Sequence, residues 1–188
     1  MIKPKKLKNF YVITGGPGVG KTTLLEELSS QGYEFIPEIA RELIKEQVEN
    51  GGEALPWKNK ELYKEIMFER SISSFEQVEE NLRTRKMPIF FDRGFLDSIG
   101  YADLIQLEIS ERMNDYAKNW RYNETVFILP PWQEIYKTDS ERKQDWEEAV
   151  VTFDQMRETY ERYGYNIVEI PKVAVRERAD FVMKFIEN

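Results

Sequence analysis

Between Phe10 and Thr23 the chain reads Phe-Tyr-Val-Ile-Thr-Gly-Gly-Pro-Gly-Val-Gly-Lys-Thr-Thr. A short β-branched and aromatic run passes directly into G-x-x-x-x-G-K-T and then into a helical pattern. This predicts a strand that ends where the glycines begin and a helix that opens at Lys21. Between them the backbone curls so that successive N–H groups face inward, and the positive end of the helix faces the same point. Gly15, Gly16, Pro17, Gly18, Val19, Gly20, Lys21, Thr22 and Thr23 are therefore the expected nucleotide-binding segment. Lys21 is placed to reach the β- and γ-phosphates, and Thr22 to offer a hydroxyl to Mg²⁺. A glycine-rich hairpin or linker would not need this strand and helix on either side. The expected ligand is a nucleoside triphosphate with magnesium.

Composition limits what surrounds this loop. With 188 residues, 41% apolar and 13% aromatic, the chain supports one domain spanning 1–188 with a full core. No apolar run approaches the roughly 18 residues of a membrane span, and no apolar segment follows the N-terminal lysines. The expected location is the cytoplasm. The absence of cysteine and histidine removes disulfides, thiol nucleophiles and the commonest general base, so acid–base chemistry falls to carboxylates, Lys or Tyr. A net charge of −7 argues against broad binding to nucleic acid. The basic tail Lys3, Lys5, Lys6 and Lys8 reads as a solvated end.

Strand-like runs alternate with amphipathic stretches, the pattern of an α/β layered domain. The expected strands are Phe10 to Thr14, Tyr33 to Ile36, Ile89 to Phe91, Thr125 to Leu129 and Asn166 to Ile170. The expected helices run from Lys21 to about Ser30, Glu38 to about Glu49, and about Pro56 to Arg85. Further helical segments extend to about Trp120, and two more cover about Asp145 to Tyr163 and the chain from about Val175. Five crossover-linked strands imply a parallel sheet with helices on both faces and ligands at the carboxyl ends of the strands.

Three further groups of residues fall near those ends. Asp92 and Arg93 close the third strand, where Asp92 suits a magnesium shell and Arg93 suits the charge of a transferring phosphoryl group. The alternative is an Asp92 that caps the next helix. Glu38, after strand two, is the natural carboxylate to take a proton from an acceptor hydroxyl, or simply complements a helix dipole. The acceptor pocket is expected between the Glu38 helix and the segment around Trp57 and Asp97. After strand four, Lys137, Arg142 and Lys143 lie in a charged connection, about 131–146, that suits a lid over the nucleotide or a solvated loop. Trp57, Trp132, Tyr136 and Trp146 suit stacking on a base or ordinary packing.

The ordered set Gly-Gly-Pro-Gly-Val-Gly-Lys-Thr-Thr-Leu, Ile-Pro-Glu-Ile-Ala-Arg-Glu-Leu-Ile, Leu-Pro-Trp, Asp-Arg-Gly-Phe-Leu-Asp-Ser and Leu-Pro-Pro-Trp followed by Tyr-Lys-Thr-Asp-Ser-Glu-Arg resembles the small bacterial predicted ATPases with an AAA-type domain. That group is similar to the nicotinamide riboside kinase domain. More distantly, Pro-Glu-x-x-Ala-Arg and Asp-Arg resemble the Pro-Glu-Pro-x-x-Arg and Glu-Arg-Ser of deoxynucleoside kinases. The resemblance covers Phe10 to about Glu187. It implies a P-loop NTPase fold of nucleoside/nucleotide-kinase type, with strand order 2-3-1-4-5 and a helical lid. It also implies Glu38 as acceptor-side base, Arg41 and Arg93 as phosphate or hydroxyl contacts, Asp92 on magnesium and Arg142 on the lid. One departure from motor ATPases is Arg93, where those proteins place Glu after the Asp.

These residues support a kinase that passes the γ-phosphate of ATP to a hydroxyl of a nucleoside-like molecule. They also support a slow regulatory ATPase or GTPase, or a polynucleotide 5′-kinase. ATP is favoured over GTP because no Asn-Lys-x-Asp occurs. The partners expected are the triphosphate and an unidentified small acceptor.

Overall fold

A computed structural model describes residues 2–82, 86–136 and 146–187. Five parallel strands form the sheet: β1 (Phe10–Gly15), β2 (Glu34–Ile36), β3 (Ile89–Asp92), β4 (Thr125–Leu129) and β5 (Asn166–Glu169). Their spatial order is β2-β3-β1-β4-β5. Seven helices are described: α1 (Lys21–Ser30), α2 (Ile39–Glu49), α3 (Lys60–Leu82), α4 (Phe95–Leu104), α5 (Glu111–Asn119), α6 (Trp146–Arg162) and α7 (Val175–Glu187). Among the described residues no helix is long and apolar enough to cross a membrane.

The three central strands read as nearly unbroken apolar runs because both faces of the sheet are covered there. Successive residues of β3 part to opposite sides. Phe91 joins Phe10, Phe75, Phe95 and Tyr122 under α3 and α4, while Phe90 joins Ile13, Leu24, Leu28 and Val182 under α1 and α7. The first face is a nest of rings: Phe75 lies 5.4 Å from Phe10, 5.2 Å from Trp120 and 5.0 Å from Tyr122. Burying each such ring contributes about 1.5–3 kcal/mol, enough to fix the register of the strands whose ends carry the site. In that register Ile13 sits opposite Asp92 and Gly15 opposite Leu129, which brings the ends of β1, β3 and β4 together.

Some expectations change. The helix expected from Pro56 starts at Lys60, because the first backbone turn closes around Leu55 and Asn59 caps Leu62 instead. Its expected end at Arg85 lies outside the described residues. The helical segments expected up to about Trp120 are α4 and α5, separated after Leu104 where Gln106 takes φ 58° and restarted at the Ser110 cap, whose hydroxyl accepts from Met113 N–H. Trp120 itself belongs to a two-residue parallel pairing, Lys5–Lys6 with Trp120–Arg121. The N-terminal tail is solvated at Lys3, Lys6 and Lys8, as expected, but anchored at Lys5, which bridges Glu76 and Glu79 and lies 4.2 Å over the Trp120 ring.

Candidate functional site

The loop between β1 and α1 leaves no room for side chains at Gly15, Gly16 and Gly20. A Cβ on Gly16 would run into the Ala149 carbonyl oxygen of α6. Gly20, the N-cap of α1, takes φ 86°, which favours glycine. No acidic residue occupies the first turn of α1, so its N–H groups and dipole are left for an anion. Lys21 is 3% exposed and donates to the Gly16 carbonyl at 3.0 Å. Burial and the Arg93 charge pull its pKa down to about 8, against the pull of Asp92, Glu38 and Asp97. A buried ammonium folded onto its own loop suits a group that extends when a polyanion arrives. Thr22 and Thr23 are exposed at the head of the helix.

Beside this loop stands a chain of charges. Arg93 is held in the left-handed region, φ 69°, a conformation that costs a non-glycine residue roughly 1–2 kcal/mol. The surroundings hold it there. Its N–H donates to Ile13 O at 3.0 Å, its Nε to Glu38 at 3.0 Å and its Nη1 to Asp97 at 2.9 Å. Asp97 is saturated: Thr14 and Arg93 donate to one oxygen, the Gly94 N–H and Tyr160 hydroxyl to the other. Four donors fill the acceptor capacity of a carboxylate. The expected ligand-facing Asp97 is thus an internal brace that aims Arg93.

Glu38 is the N-cap of α2 rather than its first helical residue, and it makes no side-chain cap. It pairs instead with Arg93, and more loosely with the half-exposed Arg41 at 3.9 Å. Burial pushes its carboxyl up, but the charges of Arg93 and Lys21 outweigh burial and hold it below the ordinary carboxylate value. The pair is therefore close enough to the phosphate loop for its charges and that of Lys21 to influence one another. Tyr63, which no motif marked, is buried close enough to the pair to feel its charges and meets Tyr101 edge to face, with the rings 5.4 Å apart. Burial first and then the Glu38 charge raise the Tyr63 phenol.

Asp92 does not cap α4, since Gly94 holds that position and Asp97 reaches back to it. Its Oδ1 is buried with no hydrogen-bond partner. Burial, with Glu38 and Asp97 nearby, pushes its pKa up to about 6 against the pull of Lys21 and Arg93. An orphaned carboxylate oxygen beside an anion cradle fits a magnesium–nucleotide complex. Among the described residues no group of three or more carboxylates gathers to hold a metal unaided, so the remaining ligands would be phosphate and water.

The other expected residues are dispersed. Trp57 is 61% exposed and has no place in this cluster. Lys137, Arg142 and Lys143 lie outside the described residues, as does the rest of the expected lid between Tyr136 and Trp146. Those two rings meet edge to face at 5.4 Å. Trp132 packs with Arg178, whose guanidinium lies 5.7 Å from the ring.

Fold and loop together define a P-loop α/β protein of nucleotide-kinase architecture. Residues 10–178 match the family model described as an AAA domain, and the chain belongs to that family. No curated protein matches the sequence. Among solved structures the chain is similar to deoxyadenosine kinase from M. mycoides with bound dATP, at 16% identity and TM-score 0.63, covering 95% of this chain and 100% of that one. Thymidylate kinase from Candida albicans is similar at 16% identity and TM-score 0.66, covering 96% and 92%. The NadR protein in complex with NR is similar at 19% identity and TM-score 0.70, covering 97% of this chain and 52% of that one. At these identities the likeness is one of fold.

Proposed function

We propose that this protein is an ATP-dependent phosphotransferase that phosphorylates a hydroxyl of a nucleoside-like small molecule. The observation that carries the reading is the Glu38–Arg93–Asp97 chain set against Lys21 and the orphaned Asp92. A hydrolysing switch needs a way to position water. An acceptor kinase needs a carboxylate and a cation held side by side, one to receive the hydroxyl proton and the other to hold the oxygen in line.

Phosphoryl transfer passes through a loose transition state in which positioning and charge stabilisation matter more than base strength. Lys21 leaves Gly16 O and spans the β- and γ-phosphates. Arg93, fixed by Asp97, faces the γ-phosphoryl oxygens. Glu38 accepts the hydrogen bond of the acceptor hydroxyl. As the new O–P bond forms, the bond from the γ-phosphorus to the β–γ bridging oxygen breaks, ADP departs and the hydroxyl proton passes to Glu38. The Thr22 hydroxyl and Asp92 would hold magnesium, which supplies charge neutralisation across the β- and γ-phosphates. The first test is a thermal-shift screen of nucleosides with Mg²⁺ and a non-hydrolysable ATP analogue. A ligand at 100 times its Kd adds about 2.7 kcal/mol of stability. The reading predicts a further shift with at least one nucleoside only when the analogue is present, and a screen in which none adds to the analogue contradicts it.

A further inference from the structure

Arg178, on the first turn of α7, lies beside the phosphate loop but plays no part in the chemistry above. It is 6% exposed, and both Nε and Nη1 are buried without a hydrogen-bond partner. Among the described residues no carboxylate pairs with it, and burial lowers its pKa. Its Nη1 lies 2.9 Å from where a Cβ of Gly20 would stand, and the Ile135 side chain reaches the same corner at 3.2 Å. The Trp132 ring is its other neighbour. A buried, unpaired guanidinium is costly, and proteins retain such groups where an anion completes them. Arginine is the side chain best matched to phosphate oxygens, through its planar fork of donors.

We infer that Arg178 is a nucleotide-positioning residue that takes a phosphate oxygen of the bound triphosphate at the Gly20 corner of the loop. The loop N–H groups cradle the α- and β-phosphates and Lys21 reaches the β- and γ-phosphates, and Arg178 brings a further fork of donors to the same anion at Gly20. Among the described residues it has no carboxylate partner. This rests on the triphosphate-site part of the reading above and is independent of the acceptor.

The test uses the full chain with Arg178→Met, which keeps the apolar stem and removes the charge, and Arg178→Lys, which keeps charge without the fork. Calorimetry is run with Mg·ATP, Mg·ADP and Mg·tripolyphosphate, and unfolding is followed without ligand. The inference predicts that Arg178→Met folds with unchanged or raised Tm and weakens all three ligands at least tenfold, with Arg178→Lys intermediate. A loss confined to ATP and ADP, with tripolyphosphate unaffected, assigns Arg178 to the base or ribose and overturns the proposal. A lowered Tm with unchanged affinities makes it structural and overturns it as well. If wild-type protein binds none of the three, the triphosphate site itself fails. A wild type that binds while the variants bind equally well rejects Arg178 alone.

Discussion

Replacing Asp92 by Asn should make the free protein more stable and the nucleotide-bound protein less so. The carboxyl has an ordinary value of 3.8 and is pushed up to about 6 by burial and by its acidic neighbours. Ionising it in the folded protein therefore costs up to about 3 kcal/mol more than in the unfolded chain. Because the folded value lies above the unfolded one, the penalty is complete above pH 6, shrinks between 6 and 3.8, and is gone below. Asn keeps the shape without the charge. Chemical denaturation of the free protein at pH 7.5 should show Asp92→Asn more stable by about 1–3 kcal/mol, and the advantage should fade as the pH approaches 4. Calorimetry at pH 7.5 should show reduced affinity for Mg·ATP and little remaining dependence on Mg²⁺. A variant less stable than wild type at pH 7.5, or an advantage that does not change with pH, would refute the reasoning that this oxygen is held unpaired for a cation.

Lys21→Ala should leave the free fold intact by unfolding measurements and reduce ATP affinity at least 100-fold, about 2.7 kcal/mol. Loss of less than threefold would sink its assigned role. Asp97→Asn strips the buried charge that faces Arg93 and should destabilise the protein by about 3–5 kcal/mol, with acceptor-stimulated turnover lost in whatever fraction folds. A change under 1 kcal/mol in urea denaturation would mean that Asp97 is no brace. Affinity for Mg·ATP should form a plateau between pH 6 and 8. It falls on the acid side as Asp92 gains a proton and on the alkaline side as Lys21, lowered to about 8, loses its own. Above pH 8 binding must take up a proton, so titrations in buffers of different ionisation heat should report that uptake.

Much of this was legible in the chain because local chemistry dictated it. The glycine spacing of the loop and the apolar runs of the central strands each require one backbone outcome. The charge chain was only half legible. Glu38, Asp92 and Arg93 sit at strand ends, where a parallel sheet gathers its ligands, but their pairing depends on strand order and on a left-handed Arg93. The adjacent Gly94 takes φ −118°, and glycine is needed there because Tyr160, Tyr122 and Val12 crowd it. Asp97 read as ligand-facing because the four groups that saturate it come from positions 14, 93, 94 and 160. Arg178 carried no motif signal, since its meaning lies in lacking a partner after folding. The anchor at Lys5 was missed for a related reason: this residue finds Glu76, Glu79 and Trp120 only across the tertiary fold.

The most direct test follows labelled γ-phosphate from ATP in wild-type protein and in Glu38→Gln, with the nucleosides that score in the stability screen as acceptors. The account predicts that wild type moves the label onto the acceptor. Glu38→Gln should lose transfer by roughly 10²-fold while its ATP affinity stays within about threefold of wild type. Label that appears solely as inorganic phosphate at a rate no acceptor changes, or transfer that survives unaltered in Glu38→Gln, would contradict it and favour a nucleotide-hydrolysing switch.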